Sequence, residues 1–91
     1  MKLKESDLKR TAVDYLNLKG VFNYPLLQGI GSYKGLPDRV MHRNGHVEYI
    51  EFKTPEGKLS IYQQIFQGQC HVDGIPYLVI HSIDELISLF E

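Results

Sequence analysis

From Asp7 to Lys19 the apolar residues Leu8, Ala12, Val13, Tyr15 and Leu16 recur at helical spacing, and Gly20 follows as a stop signal. This pattern predicts an amphipathic first helix. Val21 to Leu27 is β-branched and aromatic but contains Pro25, so it predicts a strand that lies at a sheet edge or ends at the proline. Gln28 to Gly35 reads as loop. Two extended runs, Asp38 to Arg43 and His46 to Thr54, flank Asn44-Gly45, the dipeptide that most favours a two-residue type I′ hairpin. Ser60 and Gln63 have capping-box spacing ahead of Ile65, Phe66 and Cys70, with Gly74 as the stop, which predicts a second helix. Tyr77-Leu78-Val79-Ile80, within Pro76 to His81, is apolar throughout, as expected of a strand buried on both faces. Ser82-Ile83-Asp84-Glu85 reads as another capping box, opening a short last helix through Leu86, Ile87 and Phe90.

The predicted order is α-β-β-β-α-β-α. The third strand, second helix and fourth strand form a crossover with parallel strands, whereas the hairpin is antiparallel, so the sheet is mixed and the class is α/β (α+β). No repeat, linker or shift in composition divides residues 1–91, and one domain is expected. At 91 residues the core is small, and size alone is compatible with a homodimer. A hydrophobic share of 43% and a charged share of 23% are those of an ordinary folded domain. No stretch approaches the roughly 20 apolar residues of a membrane span, and the charged start Met1-Lys2-Leu3-Lys4-Glu5 leads into no apolar segment. A soluble, intracellular protein is expected. The lone Cys70 can form no internal disulfide and is expected to be buried and inert. A net charge of −1 argues against a simple electrostatic nucleic-acid binder, although recruited divalent cations could carry positive charge to phosphates.

Candidate chemistry follows from the hairpin. If Arg43 faces His46, then counting outward sets Asp38 opposite Glu51, with side-chain roots roughly 4.5–5.5 Å apart. Like charges so placed repel, and two carboxylates there call for a cation. Alternation along the third strand puts Val47, Tyr49, Glu51 and Lys53 on one face and Glu48, Ile50 and Phe52 on the other, so Lys53 joins the two acids. Such an oxygen-rich set suits Mg2+ or Mn2+, to which the Phe52 backbone carbonyl could add a donor. The same residues also fit a surface ion cluster of little consequence, and a bulge in either strand would break the count. Glu5 lies on the stripe of the first helix that faces the sheet. It fits either an acid favoured by the helix dipole or a further contributor to the metal site through water.

Three segments carry a family resemblance: Lys34-Gly35-Leu36-Pro37-Asp38, Tyr49-Ile50-Glu51-Phe52-Lys53-Thr54-Pro55, and Gly57-Lys58-Leu59-Ser60 followed by Gln63 and Phe66. Their order and spacing resemble the PD-(D/E)XK nuclease superfamily and, within it, the virus-type replication-repair nuclease (VRR-NUC) family. The likeness runs from Glu5 through Ile80 and leaves no room for an added recognition domain. It implies a restriction-endonuclease-like αβββαβ core with a mixed central sheet flanked by helices. It implies that Asp38 and Glu51 bind metal, that Lys53 positions and polarises the attacking water, that Gln63 is a site residue on the second helix, and that Glu5 matches the acid of the first helix. The implied activity is Mg2+- or Mn2+-dependent hydrolysis of DNA, and small members resemble Holliday-junction resolvases that act on branched DNA as symmetric dimers in replication and repair. The alternative is an inactive nuclease fold kept as a DNA-binding or assembly module.

Other features weigh less. Gln63 also fits the capping box at Ser60. Ser32, Tyr33 and Lys34 in the glycine-containing loop, and Lys58 near the site, are candidate DNA contacts, and Lys58 fits a solvated lysine equally well. Gly29-Ile30-Gly31-Ser32-Tyr33-Lys34-Gly35 is no dinucleotide loop, because its last glycine comes one position too late and no helix is predicted there. His42, His46, His71 and His81 lack zinc spacing. Asn23 fits either a polar residue near the site or a cap of the first strand.

Overall fold

In a computed structural model that describes residues 4–91, the Asn44-Gly45 turn sets the register of the sheet. Asn44 and Gly45 have φ of 55° and 81°, the two left-handed positions that a type I′ turn requires. The turn joins β2 (Arg39–Arg43) to β3 (His46–Phe52), with Arg43 opposite His46 and Arg39 opposite Ile50. β1 (Asn23–Pro25) pairs antiparallel with β2, and β4 (Tyr77–Ile80) pairs parallel with β3, giving the order β1-β2-β3-β4. Pro25 is thus on an edge strand, where its missing N–H costs no ladder bond. The helices are α1 (Glu5–Leu18), α2 (Ile61–Asp73) and α3 (Ile83–Ser88), and the element order agrees with the one the pattern predicts. The start at Met1-Lys2-Leu3, read above for the lack of an apolar leader, lies outside the described residues. Among the described residues no helix is long and apolar enough to cross a membrane.

Period-two alternation in the strands sorts the side chains onto two faces. Met41, Ile50, Phe52 and Ile80 point to one face, where they join Leu8, Ala12 and Leu16 of α1 and Leu86 of α3 in the buried core. Tyr15 of α1 and Phe90 just beyond α3 close this layer edge-to-face, 5.8 Å between centroids. On the other face Phe66 of α2 packs against Tyr49 of β3 and Tyr77 of β4. Glu48 belongs to the core face and is buried, which it can be because the Arg43 guanidinium donates to both its oxygens at 2.6 and 3.1 Å and to the Leu89 carbonyl.

Three expectations need correction. β4 was expected to be buried on both faces, but it is an edge strand and only Ile80 is fully buried. The reciprocal carboxylate arm of the capping box expected at Ser82 is absent. Glu85 donates its backbone N–H to the Ser82 hydroxyl, but its carboxylate accepts from the His81 N–H at 2.8 Å, one residue earlier. Asp38 was expected as the first paired residue of β2, but the ladder begins at Arg39. α1, β1 and the end of β3 also differ from the predicted limits by one or two residues, as helix and strand ends commonly do, whereas α2 runs between the cap and stop that the sequence marks.

Candidate active site

One end of the sheet gathers side chains from four elements: α1, the approach to β2, the end of β3 and the start of α2. Asp38 lies one residue outside the ladder, and its backbone carbonyl accepts from the Leu26 N–H. Its side chain replaces a backbone acceptor: Oδ2 takes the Phe52 N–H at 2.8 Å. The carboxylate is thereby locked onto the residue that follows Glu51, so the acids are held near each other by a bond that strand pairing alone does not supply. Phe52 meets the site through this N–H while its ring fills the core on the opposite face.

Glu51 is the most constrained member. Paired with Val79 in the centre of the sheet, it is 2% exposed. Its Oε2 accepts from Gln63 Nε2 at 3.0 Å and lies 3.7 Å from Lys53 Nζ. Its Oε1 is buried with no hydrogen-bond partner. Burial, then the charge of Asp38 and to a smaller extent that of Glu5, push its carboxyl up to about 7, against the opposing pull of Lys53 and Lys9. Lys53 is held in place because its backbone N–H donates to the Ile80 carbonyl, extending the parallel pairing one residue past β3.

Gln63 does two things at once. Its Oε1 accepts from the Ser60 N–H at 2.8 Å while its own N–H donates to the Ser60 hydroxyl, completing the capping box of α2. That bond leaves the amide NH2 free to point at Glu51. The cap and the site contact, read above as alternatives, are two ends of one side chain. Gly35 lets the preceding loop press against this turn: a Cβ there would run into the Tyr62 carbonyl and lie 2.9 Å from Gln63 N.

The loop candidates are engaged with the protein. The Ser32 hydroxyl closes a turn with the Gly29 N–H and carbonyl, the Tyr33 ring lies 5.7 Å from Phe66, and Lys34 Nζ sits 4.5 Å over the Tyr62 ring. Lys58 is exposed. Asn23 ties α1 to the sheet, donating to Asn17 and the Val21 carbonyl and accepting from Arg39. Cys70 is buried, and its thiol is pushed up by burial. A hollow of about 610 Å³ between α2 and β4, lined by Gln64, His71, Pro76 and Tyr77 among others, contains none of Asp38, Glu51 or Lys53.

Two residues were missed. Lys9, one helical turn after Glu5, reaches Asp38 Oδ1 at 3.0 Å and Glu5 at 3.4 Å. Burial would lower its pKa, but the bond to Asp38 and the charges of Asp38 and Glu5 outweigh burial and hold it above the ordinary lysine value. The signal in the sequence was the spacing of Glu5, Leu8, Lys9 and Ala12 along one helical stripe. Tyr77 carries a buried hydroxyl with no hydrogen-bond partner, and its pKa is raised by burial and then by the nearby charge of Glu51. Nothing in an apolar strand pattern marks it.

The resemblance implies a divalent cation, and the donors fit one. A buried carboxylate oxygen without a partner, beside a second acid and in a carboxyl whose charged form is disfavoured, is a place short of positive charge. Among the described residues no three His, Cys, Asp or Glu side chains form a ready metal cage. Two carboxylates fit a hard ion that keeps water and phosphate in its other positions.

No family model and no curated protein matches the chain. A solved structure described as "VRR_NUC domain" does: it superposes with a TM-score of 0.80 at 19% identity, covering 94% of this chain and 92% of that one. The αβββαβ order, the mixed four-stranded sheet with helices on both faces and this superposition agree: the chain has the fold of a VRR_NUC domain.

Proposed function

We propose that this protein is a metal-dependent deoxyribonuclease that hydrolyses phosphodiester bonds, with branched or otherwise structured DNA as its substrate and a homodimer as its working form. The observation that carries the reading is the convergence of Asp38, Glu51, Lys53 and Gln63 at one end of the sheet, with the buried Glu51 Oε1 left unpartnered. Asp38 and Glu51 would hold Mg2+ or Mn2+, helped by the Phe52 carbonyl and, through water, by Glu5. Such an ion, when bound, lowers the pKa of water and neutralises charge on phosphate.

The chain's own residues do the rest. The Phe52 N–H fixes the Asp38 carboxylate, and the Gln63 amide fixes Glu51, so neither acid must be ordered when substrate arrives. Lys53 Nζ donates a hydrogen bond and its charge to the attacking water and to the phosphate oxygen on which negative charge grows. Water oxygen bonds to phosphorus and gives up one proton to solvent, the bond to the leaving sugar oxygen breaks, and that oxygen takes up one proton from solvent. Lys34, Tyr33, Ser32 and Lys58 border the path of the DNA backbone. A second copy would set two such sites on two strands.

Incubation with linear, flap and four-way DNA in Mn2+, beside an Asp38→Ala variant, tests the reading. The wild type is expected to cut, branched DNA fastest, and the variant to lose about a hundredfold or more in rate. Equal cutting by both proteins, or none by either, overturns it, and binding without cutting would indicate a recognition module. Light scattering on the same samples reads the mass of the homodimer.

A further inference from the structure

We propose that Lys9 is an internal counterion that occupies the metal-binding oxygen of Asp38 in the metal-free protein, and that a divalent ion must displace it to bind. This rests on the reading of Asp38 and Glu51 as metal ligands. Both Asp38 oxygens are engaged: Oδ2 by the Phe52 N–H, part of the fold, and Oδ1 by the Lys9 ammonium at 3.0 Å. Only the second can be given up without disturbing the backbone, so a metal reaching Asp38 takes the oxygen that Lys9 holds.

The fold makes this exchange possible. Lys9 lies on the same stripe as the core residues Leu8 and Ala12, so helix packing aims its stem at the sheet end. Its side chain is 39% exposed, against 17% for Lys53. It keeps Glu5 as a second partner at 3.4 Å on its own helix and can move off Asp38 without being stranded. Lys53 is tethered through its backbone to Ile80 and contacts Glu51 rather than Asp38. The two lysines therefore have different duties. Lys53 remains in the site, while Lys9 bridges Asp38 and Glu5 until the ion arrives. A metal site with a bound cation of its own is weaker but stays assembled, with Asp38 and Glu5 neutralised in the meantime.

Manganese binding to the DNA-free protein, read by the paramagnetic resonance of free Mn2+, tests this without relying on cleavage. Lys9→Met keeps the stem and removes the charge. It is expected to bind Mn2+ about three- to tenfold more tightly than the wild type while its metal-free melting temperature falls. Lys9→Arg, which keeps the charge, is expected to bind as the wild type does. Lys9→Gln repeats the test should the methionine variant not fold. A role in helix packing alone would not tighten metal binding. Equal or weaker Mn2+ affinity in the neutral variants, with normal binding by the wild type, overturns the counterion and leaves the metal reading standing. No Mn2+ binding by the wild type at millimolar concentration overturns both.

Discussion

Glu51 gives the sharpest stability test, because its environment disfavours its charge. In the folded protein, burial and the charge of Asp38 raise its carboxyl from the ordinary 4.5 to about 7. The folded state therefore holds the Glu51 proton more tightly than the unfolded chain does. The stabilisation from this group is complete below the unfolded value of 4.5 and is lost as pH rises through about 7. The gap corresponds to about 3 kcal/mol in all, of which roughly 2–3 kcal/mol falls between pH 5 and pH 8. Glu51→Gln keeps the shape and stays neutral at every pH. In the presence of a chelator it is expected to match the wild type near pH 5 and to exceed it by about 2–3 kcal/mol at pH 8, a difference on the order of 15 °C in melting temperature. Thermal unfolding followed by circular dichroism at both pH values measures this. Comparing the two proteins cancels the titration of the four histidines, which both contain. A gap between variant and wild type that does not open as pH rises would refute the reasoning, and with it the claim that this carboxylate is held ready at a cost to the fold.

Two more variants probe how the site is built. Gln63→Ala removes both the reciprocal arm of the α2 cap and the donor to Glu51, and is expected to cost about 2 kcal/mol in urea unfolding; Gln63→Glu restores the cap arm and recovers only part of that loss. Gly35→Ala inserts a methyl against the backbone of Tyr62 and Gln63 and is expected to cost about 1–3 kcal/mol, with the first turn of α2 losing protection from hydrogen exchange; an unchanged urea midpoint would contradict the close approach.

Much of the fold was legible because its signals are local. Asn44-Gly45 has two residues that tolerate positive φ, which fixed the turn, and the turn fixed which residues of β2 and β3 face each other. Ser60 with Gln63 and Gly74 marked both ends of α2 through the bonds their own side chains and backbone make. Alternation separated Glu51 and Lys53 from Ile50 and Phe52, and the two groups do lie on opposite faces.

The rest depends on contacts between distant segments. Strand pairing stops at Arg39, and beyond it the Asp38 carboxylate is fixed beside Glu51 by accepting the Phe52 N–H, a bond no spacing rule encodes. The edge position of β4 and the unpartnered hydroxyl of Tyr77 follow from how the crossover packs, so an apolar run alone could not reveal them. Gln63 looked like a choice between cap and site until α2 docked and turned its amide toward Glu51. Lys9 joined the acids because α1 lies across the sheet end. Hydrogen-bonding rules between near neighbours made the elements and the register readable from the chain itself. The charges that meet at the sheet end were set by packing, which alone decides which side chains lose water and which find a partner.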